Sequence, residues 1–301
     1  MNPYYLILAV GIIAGASSAL FIQASTSPPS IVVAFRLLMA ALILLPVLLV
    51  ALKKDGRQWS GRSFWLPAVP GAAFLSLHLI TWTVGVRMTS VANASLIVNL
   101  MPVAMPFAMF FVLKEKITAV EIAGSVVALV GVGVLTLGSA DFSMASLKGD
   151  FVCGGSMLFA VAYLVSTRVF GRGRPVWTYV VPVYFIAGLI ALGASTADWH
   201  RLTAPSSFEW LMLVCLALIP TVIGHSAMQI TMLKLPSQTV SIANLGQFIC
   251  AAVFAWIFFN QTPKAEFYLA SPLIVIGAMI VVFGSPRRVQ LELDKAPGRV
   301  A

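Results

Sequence analysis

Charged residues are scarce in this chain: Lys, Arg, Asp and Glu make up only 10% of its 301 residues. Soluble domains contain about 25% charged residues and about 45 to 50% apolar ones. Here the apolar residues, counted with Trp, Tyr and Cys, reach 60%. The shortage of charge therefore excludes an ordinary soluble domain and predicts an integral membrane protein.

Polar stretches are short, and they separate ten apolar segments. A membrane-crossing helix needs about 20 mainly apolar residues. The gaps carry turn residues such as Pro28-Pro29 and Leu235-Pro236. We predict an all-α integral membrane protein with ten transmembrane helices, at residues 4–24, 30–52, 64–86, 91–113, 118–137, 149–169, 176–196, 208–233, 237–259 and 267–283.

Cysteine is also rare, with Cys153, Cys215 and Cys250 all inside apolar segments and without metal-ligand spacing. We expect buried reduced thiols. No His-Glu-x-x-His sequence occurs and no Ser has a convincing base, so we expect no catalytic residues, no metal and no other cofactor. An intramembrane enzyme remains the distant alternative.

The 19 basic residues are distributed unevenly between the gaps, although the net charge is +9. They form no single stripe, so we expect no nucleic-acid partner. With a cytoplasmic N-terminus, 14 Lys and Arg lie on the inner side and 4 on the outer side, and Arg36 lies inside the second helix. The positive-inside rule thus predicts a bacterial inner-membrane protein with both termini cytoplasmic. No basic region precedes the first segment, so we expect it to be retained as a helix rather than removed as a signal peptide.

A repeat relates the two halves of the chain at an offset of 147 residues. His78, Trp82, Arg87 and Ser90 in the first half match His225, Gln229, Lys234 and Ser237 in the second. Five helices per copy is an odd number, so the second copy must enter the membrane from the opposite side. We predict a first five-helix repeat at 1–139, a second, inverted repeat at 148–284 around a central cavity, and a basic cytoplasmic tail at 285–301.

Inverted repeats of this kind recur in secondary transporters, whose substrate sites lie where the two halves meet. Polar and aromatic side chains within the apolar segments are therefore the candidate substrate contacts, because lipid cannot satisfy them. Histidine and a polar or aromatic residue share a helix face in each half, four residues apart. The alternatives are a structural histidine pair, hydrogen bonds that join helices, and ordinary core packing. The predicted substrate-pathway residues are His78, Trp82, Asn99, Tyr163, His225, Gln229, Asn244 and Gln247.

Proline and glycine inside the segments predict shape rather than chemistry. Pro102 and Pro106 each remove a backbone hydrogen bond from the fourth helix, and we predict a hinge there. We interpret Arg36 as structural, with a role in gating as the alternative. Small residues let helices approach closely, and we assign that role to Gly124, Gly131, Gly133, Gly154 and Gly155.

Carboxylates are missing from the middle third of every predicted helix. Proton-coupled carriers commonly use a carboxylate in the membrane as the proton relay. Transport is therefore either uncoupled and driven by the substrate gradient, which we favour, or coupled through a titrating histidine.

Residues 88–133 carry motifs that resemble the EamA-type permeases of the drug/metabolite transporter superfamily. The matching features include Thr89-Ser90, Pro102, Leu113-Lys114-Glu115 and the glycines of the fifth helix. The second copy departs from the pattern, with Gln261-Thr262 where the acidic residue belongs and Val183 in place of Arg36. Within the superfamily the chain is most similar to the YddG-type bacterial amino-acid exporters.

The resemblance implies a secondary transporter that works by alternating access. Its implied substrates are small metabolites, with amino acids as our first expectation and export as the direction. A multidrug or other metabolite exporter on the same scaffold is the main alternative. The implied partners are a small-molecule substrate and the lipid bilayer, and the oligomeric state is left open, with a monomer compatible.

The predicted topology is tested by fusing a reporter to the C-terminus. Because the basic residues concentrate on the predicted cytoplasmic side, a reporter that is active only in the cytoplasm should be active when it is fused to the C-terminus. Activity of a reporter that works only outside the inner membrane would contradict both the orientation and the number of helices.

Overall fold

The computed structural model describes residues 3–56, 61–113, 117–138, 144–196, 205–235, 240 and 243–283. Within these ranges every regular element is helical. The first half contains α1 (Pro3–Ala16), α2 (Ser18–Ala24), α3 (Pro29–Asp55), α4 (Gly61–Trp65), α5 (Ala68–Met88), α6 (Val91–Val98), α7 (Met101–Leu113) and α8 (Ala119–Gly138). The second half contains α9 (Met144–Phe170), α10 (Val176–Ala194), α11 (Ser207–Leu216), a π-helix (Ala217–His225), α12 (Ser226–Lys234), α13 (Gly246–Phe259) and α14 (Ala265–Phe283).

Seven helical stretches are long and apolar enough to cross a membrane. They are Pro3–Ala24, Pro29–Asp55, Gly61–Met88, Val91–Val112, Ser146–Phe170, Val176–Ala194 and Ser207–Met232. Three shorter apolar helices, at Ala119–Leu135, Gly246–Phe259 and Ala265–Val281, occupy the positions of predicted helices five, nine and ten. The multi-pass architecture agrees with the sequence analysis, and the count of ten crossings stays a prediction.

Local sequence signals explain where several helices begin and end. Thr118 and Glu121 form a capping box, in which Glu121 accepts from the Thr118 N–H at 2.7 Å and the Thr118 hydroxyl accepts from the Glu121 N–H at 3.2 Å. Ser206 caps α11 in the same way, because its hydroxyl accepts from the Glu209 N–H. The last turn of α3 ends at Gly56, whose φ of 65° suits a residue without a Cβ.

The outer surface of the bundle is apolar. Leu42, Phe111, Phe151 and Phe258 are each at least 66% exposed, and many other large apolar side chains are exposed with them. A soluble protein does not present so much contiguous apolar surface to water. These side chains face outward because lipid, rather than water, is their solvent.

Helices from the two halves pack against each other in pairs. Helix α3 packs along α10, α5 along α9, and α8 along α14. Helix α1 packs against the π-helix and α12. In the order of the helices, α1 corresponds to α9 and the segment with the π-helix and α12 corresponds to α5, so this contact is the counterpart of the packing of α5 against α9. The interior between these pairs therefore lies at the boundary of the two halves.

Glycine permits close contact at only some of the predicted positions. A Cβ on Gly124 would lie 2.7 Å from the Gly277 carbonyl oxygen, and one on Gly131 would lie 2.8 Å from Ile274. Both glycines join α8 to α14. The interpretation was wrong for Gly133, Gly154 and Gly155, because a Cβ on any of them would meet no atom within 4 Å.

Paired glycine substitutions on α8 test this contact. Gly124→Ala forces a methyl group against the backbone of α14, which should lower the free energy of unfolding by about 1 to 3 kcal/mol. Gly133→Ala on the same helix has open space and should leave stability unchanged or slightly improved, because Ala favours helix. Thermal unfolding of both variants in one detergent measures the difference. Equal midpoints would contradict the close α8–α14 contact.

Candidate functional site

A cavity lies at the boundary of the two halves, in the middle of the bundle. The volume of this cavity is about 90 Å³. Helices of both halves contribute to its wall, and all eight predicted pathway residues are among the lining residues. The structure thus brings these residues together, while their contact with a substrate stays a prediction.

The matched histidines face each other across the boundary of the halves. The ring centroids of His78 and His225 lie 6.4 Å apart. His78 is anchored on α9, because its Nδ1 lies 2.8 Å from the Ser156 hydroxyl and 2.9 Å from the Ser156 carbonyl oxygen. His225 is half-buried at the end of the π-helix, and Trp82 lines the wall one turn from His78. Ser156 therefore fixes the position of the His78 ring opposite His225.

Three amides form a hydrogen-bonded chain across the halves. The Gln247 amide donates to the side-chain oxygen of Asn244, and the Asn244 amide donates to Oδ1 of Asn99 at 2.8 Å. The Asn99 amide donates to the backbone carbonyl of Ser95, also at 2.8 Å. Asn99 and Asn244 are 2% and 1% exposed. Their amide groups thus serve as interhelical hydrogen bonds in this conformation, which is the structural alternative for these residues, and they also line the cavity.

The same chain marks a break in the fourth apolar segment. Helix α6 ends at Val98, two turn residues follow, and α7 begins at Met101. Pro102 has no N–H to donate to the Val98 carbonyl, and the Leu100 N–H bonds to Ile97, only three residues back. Pro106 lies inside α7. The break lies where the sequence predicts a hinge, and its motion stays a prediction.

Gln229 and Tyr163 bring unsatisfied polar atoms to the cavity wall. They are 0% and 3% exposed. Their side chains are close enough to interact, but no hydrogen-bond geometry is met at the Tyr163 hydroxyl or at either amide atom of Gln229. A buried amide or hydroxyl without a partner costs about 1 to 3 kcal/mol. This local cost marks the two side chains as candidates for a ligand contact.

The π-helix in the eighth segment follows from Pro220. Proline cannot donate to the carbonyl four residues earlier, which is that of Leu216. The Thr221 hydroxyl donates to this carbonyl instead, at 2.8 Å. Single turns of π-helix are frequent at functional sites, and this one points Thr221 towards α3.

Arg36 is the cationic residue of the cavity wall. Its Nε donates to the Thr221 hydroxyl at 2.5 Å, and its Nη1 donates to the Ser18 hydroxyl at 3.0 Å. The side chain is 1% exposed, and its Nη2 has no hydrogen-bond partner among the described residues. Among the described residues, no Asp or Glu lines the cavity. The structural interpretation from sequence is therefore incomplete, since Arg36 faces the candidate site.

A polar cluster joins the two halves at one end of the bundle. The Glu209 carboxylate accepts from the Ser25 hydroxyl at 2.6 Å and from the backbone N–H groups of Thr26 and Ser27 at 3.0 and 3.1 Å. Arg87 donates to the carbonyls of Ser27 and Ser25 at 2.8 and 2.9 Å. The sequence analysis missed this cluster. The feature of the sequence that indicates it is the turn Ser25–Ser27, which directly precedes Pro28-Pro29.

Metal-ligating groups do not gather anywhere in the described part of the chain. No set of three or more His, Cys, Asp and Glu residues there could hold a metal ion. Glu121, Glu209 and Glu266 lie in the first turns of α8, α11 and α14, whereas the buried Asp150 lies inside α9. Glu115 of the predicted motif lies outside the described residues.

Comparison with known proteins finds one family twice in this chain. The model of the EamA-like transporter family matches residues 1–137 and, a second time, residues 147–283. The same family model thus matches two successive stretches of the chain. Together they cover nearly the whole chain.

Individual relatives are distant. The uncharacterized transporter YetK of Bacillus subtilis (strain 168) is 20% identical over 255 residues, which are 82% of this chain and 76% of that protein. The uncharacterized transporter sll1164 of Synechocystis sp. is 24% identical over 205 residues, 64% of this chain and 58% of that protein. A crystal structure at 20% identity matches the fold with a TM-score of 0.68, over 95% of this chain and 99% of the other.

Replacing the unsatisfied amide tests whether it contributes to stability. Gln229→Met keeps the side-chain length and removes the buried polar atoms, so the free energy of unfolding should rise by up to about 3 kcal/mol. Thr83→Val is the matched control on α5, because the buried Thr83 hydroxyl is satisfied by the Leu79 carbonyl at 2.8 Å. We expect no gain from it. Thermal unfolding in detergent compares the two, and a destabilised Gln229→Met would show that the amide holds the bundle together.

Proposed function

Since the chain belongs to the EamA-like transporter family, we propose that it is a secondary transporter that exports small metabolites, amino acids above all, by alternating access. The observation that carries this proposal is the cavity. Polar and aromatic side chains from both halves converge on it, inside a bundle whose outer surface is apolar. Substrate sites of secondary transporters lie at such a boundary between repeats.

The proposed architecture is ten membrane crossings in two inverted five-helix repeats. One pair of matched positions supports the inversion. Ser27 accepts from Arg87 at the end of α5, whereas its counterpart 147 residues later, Arg174, donates to the Ser63 carbonyl near the start of α4. Matched positions thus lie at opposite ends of the α4–α5 segment. The short distance between the matched His78 and His225 supports an axis that passes between their rings.

Alternating access requires one end of the cavity to close while the other opens. The Glu209 cluster supplies a polar closure at the end that carries the Ser25–Ser27 turn, and its hydrogen bonds must break when that end opens. The break between α6 and α7 gives the fourth segment two parts that can move separately, with Pro102 and Pro106 in the second part. Hinges of this kind absorb backbone rotation at few residues.

Transport in this proposal is uncoupled and follows the substrate gradient. In the part of the chain that the structure describes, no carboxylate lines the cavity wall to carry a proton. The aromatic face of Trp82 and the polar atoms of Tyr163 and Gln229 provide neutral contacts for a small polar solute. The proposed location is the bacterial inner membrane with both termini cytoplasmic, which the positive-inside distribution supports. The proposed substrate class is that of the YddG-type amino-acid exporters.

Reconstitution in liposomes tests the function and the coupling together. We expect labelled amino acids to cross down their gradient, and an imposed pH gradient to drive no uphill accumulation. Gln229→Met should reduce the flux at least about tenfold, because a polar contact to the substrate is lost. Thr83→Val, which changes a buried residue outside the cavity wall, should transport normally.

Three results would contradict parts of this proposal. Uphill accumulation under a pH gradient would replace the uncoupled mechanism by proton coupling. Flux of organic drugs without flux of amino acids would favour the multidrug alternative. Normal flux through Gln229→Met, and through the corresponding Tyr163→Phe, would remove both residues from the substrate site.

A further inference from the structure

Arg36 brings a positive charge to a cavity wall without acidic residues. We infer that its free Nη2 forms an anion site, so that the transported substrate is a small carboxylate and the carboxylate binds at Arg36. This inference deepens the proposed function and depends on it. It assigns the recognition of the carboxylate to one residue and makes the anionic group, rather than an ammonium group, the required feature of the substrate.

The guanidinium group is positioned, not merely buried. Thr221 from the π-helix and Ser18 from α2 accept from Nε and Nη1, and this fixes the plane of the group. Neither partner carries a charge. Nη2 remains buried without a partner, and a carboxylate is the group that guanidinium binds best in geometry and charge. An unpaired cation in an apolar interior is expensive, so a function must account for it.

Among the described residues, no acidic side chain lies beside Arg36 to pair with its charge. The ionisable side chains that interact with it are Tyr184, His78 and His225, none of which is a carboxylate. Glu209 lies 12 residues from Thr221 on the eighth segment, or about 18 Å along a helix. Its oxygens are occupied by the Ser25–Ser27 turn. The site therefore lacks a negative group of its own.

The second half of the chain shows that packing does not require this cation. At the offset of 147, Arg36 corresponds to Val183 and Thr221 corresponds to Phe74. Both counterparts belong to an apolar cluster, in which Val183 is 0% exposed and Phe74 packs beside it. Each pair takes one residue from each half, so the contact is polar between Arg36 and Thr221, whereas both residues at the matched positions are apolar. A one-sided charge is typical of a binding site.

The charge pattern of the cavity predicts which substrates are selected. A carboxylate compensates Arg36, whereas an ammonium group finds no carboxylate and has only neutral atoms and the Trp82 ring to contact. A substrate that carries only a cation is repelled by Arg36. The site thus favours small organic acids, with or without an amino group, over cationic drugs.

Matched probes separate the two charged groups of an amino acid. For leucine, phenylalanine and methionine, flux into liposomes is compared between the amino acid, its amide and its 2-oxo acid. For each side chain that the protein accepts, we expect both the amino acid and the 2-oxo acid to cross. The amide, which lacks the carboxylate, should cross at least about tenfold more slowly.

Variants link the preference to Arg36. Arg36→Gln keeps donors for Thr221 and Ser18, and it should reduce the preference for acid over amide to less than about twofold, while Arg36→Lys should retain part of it. Arg174→Gln is the control, because it removes a cation near the end of the bundle, outside the cavity wall. It should keep the full preference.

Binding to the unmodified protein covers the case in which the Arg36 variants do not fold. The amino acid and the 2-oxo acid should raise the thermal unfolding midpoint of the wild-type protein, and the amide should not. Equal transport of acids and amides, or an unchanged preference in Arg36→Gln, would overturn the anion site and leave the proposed function intact. Absence of flux and of stabilisation for every probe would overturn both, since the anion site depends on the transport of these solutes.

Discussion

Lipid offers no hydrogen bonds, so each polar group within this bundle must find its partner inside the protein. Thr83 and Thr231 bond to carbonyls of their own helices, and the amide chain from Gln247 to Ser95 crosses the halves. Of the side chains that line the cavity, three keep a buried polar atom without a partner: Arg36, Tyr163 and Gln229. All three residues line the same cavity, so the side chains best able to bind a solute lie together.

The two halves share a scaffold but differ in the groups that they bring to the cavity. Pro220 disturbs the eighth segment, so Thr221 turns to a free carbonyl and holds Arg36. The counterparts of Thr221 and Arg36 at the offset of 147, Phe74 and Val183, are apolar. The scaffold supplies paired helices, whereas the differences between the copies bring the positive charge of Arg36 to the cavity wall. A solute in the cavity therefore meets two chemically unlike walls.

The hydrophobic pattern predicted much of the fold, because lipid imposes the same length and apolarity on every crossing helix. The eight predicted pathway residues were chosen by their cost in lipid, and the structure places all of them in the wall of one cavity. Spacing alone misjudged Gly133, Gly154 and Gly155, since it cannot show what lies opposite a glycine. It also undervalued Arg36, whose partners are 18 and 185 residues away in the chain.

The amino-acid sequence by itself determined the membrane class, the helical segments and the duplication, because each is encoded in local composition or in a regular offset. Only the tertiary structure decided which polar groups satisfy one another. Hydrogen bonds depend on distances of about 3 Å between helices that are remote in sequence. That geometry pairs Asn99 with Asn244 and pairs Glu209 with the Ser25–Ser27 turn. It leaves Nη2 of Arg36, a residue of the cavity wall, without a partner among the described residues.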